Sequence, residues 1–321
     1  MGFGIYYHTL KGIEKLEGNF KKLKKSVLVW ASDLHCKGRI SDKSFSNLIF
    51  WEEHHRLLNL RYPKSFNEKI QWLKLYDRKK AYIDIVDKVK FKNFVADRLG
   101  EEYVIPTLAV WDSPDEITLE GLPGKFVVKC NHASGDNYIH SGKRPADLQE
   151  IKACVGSKFN QDTSALTAEW TYKNVERKIF AESYLETSSP CGLLDYKIYC
   201  FNGVPMFFQV HSFTAHNGSD NPDDVRNFQV FYDAEWNRQP FTHGYPGPTD
   251  KDFTRPENFE EMERVAATLA QGFQFVRVDL YDIDGKIYPG EMTLYPFAGF
   301  EYFYPDNRWD RKLGDMIGKL W

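Results

Sequence analysis

The sequence has few of the features that mark specialised classes of protein. Its five cysteines are scattered, with no Cys-x-x-Cys pair and no histidine at zinc-ligand spacing, which argues against a disulfide framework and a structural zinc site. No run of about 18 apolar residues is free of charge, so no transmembrane helix is predicted. The formal net charge of −3 gives no support to binding of nucleic acid backbones. We therefore expect free thiols and a cytoplasmic protein.

What the chain does have is enough apolar mass for a large core. Hydrophobic residues make up 42% of its 321 residues, and Phe, Tyr and Trp alone make up 16%. This length suits two or three lobes. We predict a helical N-terminal extension over 1–64, a first lobe over 65–180 and a second lobe over 181–321. The basic stretch within residues 1–60 favours solvated helices or, alternatively, a peripheral contact with an anionic membrane.

The order of helical and strand patterns predicts an α+β fold with antiparallel sheets. Apolar residues recur every three to four positions over 65–100, which predicts a pair of helices, and helices are also predicted over 145–171 and 256–272. Shorter apolar runs predict strands, including a hairpin over 124–140 with a polar loop. Further strands are predicted at 178–184, 194–201, 205–211, 228–232, 275–281 and 286–291.

The most informative segment is the last predicted hairpin, whose turn is Asp282-Ile283-Asp284-Gly285. Period-two alternation places Arg277 and Asp279 on one face of the first strand. Counting back from the turn brings Asp279 and Glu291 to similar depths, where both carboxylates could bind one Mg²⁺. The alternative is a solvent-facing salt bridge between Arg277 and the two acids.

A second segment, Phe126 to Asp136, combines a lysine at the end of an apolar strand with a loop of small and polar residues. Lys129 and the backbone N–H groups of this loop could hold polyphosphate oxygens. The Walker A order of residues is absent, so this is not a P-loop, and an ordinary hairpin turn remains the alternative. The lysines at 88 and 197 and the carboxylate at 182 are further candidates.

In order along the chain, these pieces resemble the ATP-grasp superfamily and, within it, the TupA-like family. The stretches that carry the resemblance are FNEKIQWLKLYDRKKAYIDIVDKVKFKNFV, LPGKFVVKCNHASGDNYI, IFAESYL, DYKIYCFNG and FVRVDLYDIDGKIYPGEMTLYPFAGF, which together cover most of 65–300. The resemblance implies two α+β lobes that clamp ATP between antiparallel sheets.

The resemblance also implies roles for individual residues. Lys88, Lys129 and Lys197 would contact ATP phosphates, and Arg277 would stabilise the transferred phosphoryl group, so that Lys129, Lys197 and Arg277 are the predicted catalytic residues. Asp279 and Glu291 would bind Mg²⁺; Thr293 stands where many ATP-grasp ligases have asparagine, and a hydroxyl can also be a ligand. The remaining nucleotide contacts would come from the phosphate loop and an adenine-binding hinge: Asn131, His132, Ser134, Gly135, Glu182, Tyr184 and Leu185.

Most ATP-grasp enzymes form a carboxyl phosphate and trap it with an amine, so the resemblance implies an ATP-dependent carboxylate–amine ligase. The family context suggests a uronic acid, amino acid or sugar substrate in bacterial capsule, teichuronopeptide or lipopolysaccharide assembly. The loop 211–226, with His211, His216 and Arg226, is the expected acceptor site. A sugar or glycan kinase with Asp195, His132 or Asp136 as base, a glycosyltransferase and a nucleotide-binding scaffold remain open.

Overall fold

The computed structural model describes residues 28–133, 135, 137–189, 192–212, 228–244 and 252–320. The α-helices of this part of the chain are α1 (28–36), α2 (Asp42–His54), α3 (Phe66–Tyr76), α4 (Tyr82–Val86), α5 (Lys90–Leu99), α6 (Leu148–Phe159), α7 (Thr163–Thr167), α8 (Phe259–Ala270) and α9 (Arg308–Ile317). Its strands are β1 (Thr107–Trp111), β2 (Phe126–Cys130), β3 (Tyr138–His140), β4 (Ile179–Ser183), β5 (Leu194–Phe201), β6 (Val204–Ser212), β7 (Phe228–Tyr232), β8 (Thr242–His243), β9 (Phe275–Ile283), β10 (Lys286–Thr293) and β11 (Phe303–Tyr304). The predicted α+β class with antiparallel sheets is confirmed.

The first sheet has the strand order β1-β4-β2-β3, and its pairs are antiparallel. The predicted hairpin over 124–140 is formed by β2 and β3. Helix α6 packs on this sheet through Ile151 and Val155, both fully buried. This helix begins at Leu148 rather than at the predicted Pro145, because Asp147 caps it by accepting from the N–H groups of Gln149 and Glu150. The sheet also includes β4, so it extends past the predicted lobe boundary at residue 180.

The second sheet has the order β10-β9-β5-β6-β7 and is also antiparallel. One of its faces is apolar: Val276, Val278 and Leu280 of β9 are fully buried. Helix α8 and the helices of 66–99 cover this face and share one core with it. The periodicity of 65–100 predicted two helices of the first lobe. The structure instead forms three, and they pack on the second sheet, since Asp77–Ala81 and Asp87–Val89 interrupt the helical pattern.

The described part of the N-terminal extension packs against the body through a small apolar cluster that includes Phe45, Phe50 and Phe300. The basic stretch, for which solvated helices or a peripheral membrane contact were predicted, lies mostly within 1–27, outside the described residues. None of the described helices has both the length and the apolar composition needed to cross a membrane.

Candidate functional site

The site begins with the β9–β10 hairpin and the turn that closes it. Asp284 and Gly285 have φ values of 51° and 91°, the two positive angles that a type I′ turn requires. Even counting from this turn would place Asp279 opposite Gly290. A bulge at Gly290 shifts the register by one residue, so that Glu291 pairs with Asp279. Directly opposed residues point to the same face, and the bulge therefore brings the two carboxylates together.

Asp279 is buried between two cations. Arg277 donates from Nε to Oδ1 at 2.6 Å and from Nη2 to Oδ2 at 2.7 Å, while Lys197 Nζ lies 2.7 Å from Oδ2. Burial alone would raise the pKa of Asp279, but the charges of Arg277 and Lys197 lower this pKa to about 2. Asp279 is therefore anionic at neutral pH, and three predicted site residues are in direct contact.

Lys88 connects the second sheet to the phosphate loop of the first. Its Nζ donates to the carbonyl of Ala133 at 2.8 Å and lies 3.4 Å from Oε2 of Glu291. Its backbone N–H donates to the carbonyl of Asn131 at 3.1 Å. Glu291 is more accessible than Asp279, with 32% of its side chain exposed. The predicted phosphate loop, Lys88 and the carboxylate pair thus converge on one cleft between the two sheets.

The donors in this cleft fit a hard divalent cation. Thr293 pairs in register with Arg277 and accepts from its Nη2 at 3.0 Å, on the face that carries Asp279. No cluster of three or more His, Cys, Asp and Glu side chains at metal-binding distances exists in the described ranges. Two carboxylates and a hydroxyl are nevertheless the oxygen ligands that Mg²⁺ uses when phosphates and waters complete its shell. The residues present therefore fit Mg²⁺ bound together with a triphosphate.

On the first sheet, Glu182 is held between two lysines. One carboxylate oxygen accepts from Lys129 on the neighbouring strand β2, and the other lies 2.9 Å from Nζ of Lys92 on α5. Burial would raise the pKa of Glu182, but the two ammonium groups hold it below its ordinary value. Sequence reasoning missed Lys92, because a single lysine in a helix is not specific for a site. The signal that could have found it was its place in the matched stretch 66–95.

The loop after β2 is supported by Asn131, one of the residues that were predicted to bind phosphate. Asn131 Nδ2 donates to the carbonyl of Glu176, and its Oδ1 accepts from the N–H of Lys178, both at 2.8 Å. The N–H of Asn131 also bonds to the Lys178 carbonyl. Asn131 thus holds the loop in place, and its predicted contact with the triphosphate stays a prediction.

His132, the next residue of this loop, is buried as well. Its pKa is lowered to about 4 by burial and the nearby cations, so it is neutral at pH 7. The tip of the loop contains Gly135, with a positive φ of 74°. Ser134 and Asp136 lie outside the described residues, and so do His216 and Arg226 of the predicted acceptor loop.

The residues of the predicted adenine hinge lie partly in β4 and partly after it. Glu182 lies within β4, between β1 and β2, and its side chain is directed to the two lysines, while its predicted place in the adenine-binding hinge stays a prediction. Tyr184 and Leu185 follow the strand as half-buried residues outside any helix or strand. Within the described ranges, neither shows a backbone hydrogen bond to the protein. Their N–H and C=O groups are therefore available to a planar ligand at the entrance to the second lobe.

The TupA-like ATP-grasp family matches residues 68–318. The chain belongs to this family. The resemblance noted in the sequence and the ATP-grasp fold are both confirmed. No curated protein matches the chain in sequence.

Among solved structures, the ATP-grasp chain resembles the D-alanine–D-alanine ligase from Bacillus anthracis, with 15% identity and a TM-score of 0.40 over 79% of this chain and 69% of that chain. The L-amino acid ligase from Bacillus licheniformis gives 11% identity and a TM-score of 0.44 over 87% of this chain and 63% of that chain. The N5-carboxyaminoimidazole synthetase from Staphylococcus aureus, complexed with ADP, gives 15% identity and a TM-score of 0.40 over 78% of this chain and 58% of that chain. In the last two comparisons this chain spans less than two thirds of the solved chain.

The Lys92–Glu182–Lys129 group of this ATP-grasp protein yields a first prediction. In Lys92→Met, Glu182 keeps a single cation, so Lys129 is held more tightly and is less available to a phosphate. We expect the Kd for ADP with Mg²⁺ to rise about tenfold, or about 1.4 kcal/mol, in calorimetric titration. Lys90→Met is the matched control, since Lys90 lies two residues away in an exposed pair with Asp84. Equal affinities of the two variants would contradict the role given to Lys92.

Proposed function

We propose that this chain is an ATP- and Mg²⁺-dependent carboxylate–amine ligase that acts in bacterial surface polysaccharide assembly. The observation that carries the proposal is the convergence of Asp279 and Glu291 with Arg277, Lys197 and Lys88 in the cleft between the sheets. Phosphoryl transfer requires positioning and neutralisation of charge more than covalent chemistry by the protein. A carboxylate pair flanked by three cations supplies both requirements.

Asp279 and Glu291 would hold Mg²⁺, which neutralises charge on the triphosphate when it is bound. Lys129 on β2 of the first sheet and Lys88, which lies between α4 and α5, would contact the phosphate chain. Lys197 would approach it from the second sheet. Arg277, already oriented by two bonds to Asp279, would stabilise the charge that develops on the transferred phosphoryl group. The buried face of the sheet beneath these residues keeps them in fixed positions.

In the proposed reaction, a carboxylate oxygen of the donor substrate attacks the γ-phosphorus, and the bond to the β-γ bridging oxygen breaks to release ADP. The amine of the acceptor then attacks the acyl carbon, phosphate leaves, and the amine loses its proton. The family resemblance supports a uronic acid or amino acid as the donor, and a glycan or amino acid as the acceptor. Residues of 211–226 are proposed for acceptor recognition, and His211, at the described end of this range, pairs in register with Asp195 on β5.

The experiment that tests the proposal is calorimetric titration of ATP, with and without Mg²⁺, into the wild type, Asp279→Asn and Glu291→Gln. We expect Mg²⁺-dependent binding in the wild type and at least a hundredfold weaker binding in Asp279→Asn, because the ligand charge is lost. Asp282→Asn is the control, since Asp282 lies on the opposite face of the same strand and accepts from the turn residue Gly285. Absence of ATP binding by a folded wild type would overturn the proposal.

Product analysis then separates the reaction classes. Release of ADP and phosphate that depends on both a carboxylate and an amine would support the ligase. A phosphorylated acceptor formed without an amine would identify a sugar or glycan kinase instead. Turnover of a sugar nucleotide without ATP hydrolysis would identify a glycosyltransferase.

A further inference from the structure

The cleft residues come from 88–293, and the described part of the N-terminal extension, 28–64, carries a different feature: exposed apolar side chains. Of the eleven large hydrophobic side chains exposed among the described residues, five lie in this short segment: Val29, Trp30, Trp51, Leu57 and Tyr62. Trp51 is 51% exposed and Leu57 is 81% exposed. A concentration of exposed apolar side chains marks a surface that contacts a membrane or another protein.

These side chains point away from the body, because the extension packs on the body with its other side. Ala31 and Ile49 are buried in the small apolar cluster that includes Phe300. Trp30 comes directly before Ala31 on α1 and is 56% exposed. Trp51 is two residues beyond Ile49 on α2, which is about 200° around the helix. Trp30 and Trp51 therefore lie on the outer side of the two helices.

The exposed charges of the same segment are almost all basic. Within 28–64, Asp33 is the one exposed acidic residue, and its carboxylate lies 2.7 Å from Nζ of Lys37. The guanidinium carbon of Arg61 lies 5.3 Å from the ring centroid of Tyr62, so a cation and an aromatic ring occupy one position. The exposed basic residues are Lys37, Arg39, Lys43, Arg61 and Lys64. This excess is local, since the whole chain has a formal net charge of −3.

The sequence before the described extension has charge of the same sign. Residues 1–27 contain six lysines and two glutamates, and they end directly before Leu28, Val29 and Trp30. The basic residues of 1–27 are therefore joined to the point where the exposed apolar side chains begin.

This combination of side chains fits the surface of an anionic lipid bilayer. Trp and Tyr favour the boundary between headgroups and acyl chains, and Lys and Arg are attracted to anionic headgroups. Interfaces between proteins are depleted in lysine. The exposed lysines of the extension therefore favour a bilayer over a protein partner.

We propose that the outer side of the N-terminal extension, defined by Trp30, Trp51, Leu57, Arg61 and Tyr62, docks the protein on an anionic lipid bilayer. The apolar and aromatic side chains enter the boundary region, and the basic side chains contact the headgroups. Docking confines the cleft to a membrane surface, which raises the effective concentration of any substrate that is itself attached to a lipid.

The test is co-sedimentation of the full chain with vesicles of phosphatidylcholine alone and of an equal mixture of phosphatidylcholine and phosphatidylglycerol. We expect the wild type to bind the mixed vesicles at least about tenfold more tightly, because the basic side chains meet anionic headgroups. Trp30→Ser/Trp51→Ser should weaken binding to the mixed vesicles about tenfold or more, since the apolar anchors are lost. Arg39→Gln/Arg61→Gln should also weaken it about tenfold or more.

Val204→Ser/Lys286→Gln is the matched control, because it removes an exposed apolar and an exposed basic side chain outside the extension. It should bind both kinds of vesicle as the wild type does, and urea denaturation checks that every variant is folded. Absence of binding by the wild type, or equal binding to the two kinds of vesicle, would overturn the proposal. Full affinity in Trp30→Ser/Trp51→Ser would also overturn it, since binding would then belong to residues 1–27 alone.

A second copy of the chain is the competing occupant of this surface. A wild type that dimerises through Trp30 and Trp51 in gel filtration, but does not bind vesicles, would identify that occupant and overturn the bilayer proposal. None of these measurements requires a nucleotide. Failure of the docking surface can therefore be told apart from failure of the proposed ligase function.

Discussion

Gly314→Ala is expected to lower the free energy of unfolding by about 2–3 kcal/mol, although alanine is the better helix former. Gly314 lies in the interior of α9, where this helix crosses the start of α3. An added Cβ would come within 2.4 Å of the Lys64 carbonyl oxygen and 2.6 Å of the Phe66 nitrogen. These are backbone atoms that cannot rotate away, so α9 would have to move off the core.

A movement of α9 would also disturb the hydrogen bonds between α9 and α3. Lys69 donates from Nζ to the carbonyl of Gly314 at 2.7 Å, and Asp310 on α9 accepts from the N–H and side-chain amide of Asn67 at 2.9 and 2.8 Å. These groups are buried, and unpairing them adds to the steric cost. The expected loss therefore exceeds the gain of about 0.5–1 kcal/mol that alanine brings to a helix.

Gly156→Ala is the matched control for this prediction. Gly156 is also in a helix interior, on α6, but its nearest neighbour beyond the helix is a side-chain carbon of Pro114 at 4.0 Å. There alanine should leave the stability unchanged or raise it slightly. Urea denaturation of both variants provides the comparison. A Gly314→Ala protein as stable as the wild type would show that the α9–α3 contact does not require glycine.

The sequence predicted the parts of the molecule that rest on local pattern. The β9–β10 hairpin, its turn and its polar and apolar faces follow from period-two alternation around Asp284-Gly285. The apolar runs of β2, β5 and β7 gave those strands to within a residue or two. In each case the pattern within about ten residues is enough to locate the strand. Each of these strands also pairs with a strand that is next to it in the sequence.

Features that depend on packing between segments far apart in the sequence were predicted less well. The helices of 66–99 were assigned to the first lobe because they precede it in the chain, yet their apolar faces fit the second sheet. The bulge at Gly290 could not be read from spacing, although it decides that Glu291 faces Asp279. Lys92 shows the same limit within the site, since its contact with Glu182 joins residues 90 positions apart and leaves no local pattern.

Asp279→Asn is expected to cost about 3–5 kcal/mol of folding stability in the absence of nucleotide, because removal of one partner leaves a buried cation uncompensated. Arg277 has only 10% of its side chain exposed and makes two of its hydrogen bonds to this carboxylate. Lys197 would keep Asp195 as a partner, so the larger part of the loss should come from Arg277.

Asp306→Asn is the matched control, because Asp306 and Arg308 form the same two-bond pair two residues apart, but on the surface. Exposed pairs contribute little, so this variant should unfold at nearly the wild-type urea concentration. An equal loss in the two variants would show that burial does not control the strength of the Arg277–Asp279 pair.

The pH dependence of the stability gives a second measure of the same pair. The folded pKa of Asp279, about 2, is below the ordinary value of 3.8, so its ionised form stabilises the fold. This contribution is fully present above about pH 4 and is lost as the pH falls toward 2. The stability difference between wild type and Asp279→Asn should therefore be constant from neutral pH down to about pH 4 and shrink below it. A difference that shrinks between pH 7 and pH 5 would mean that a group other than Asp279 controls the coupling, and would contradict an anionic Asp279 held by Arg277 and Lys197.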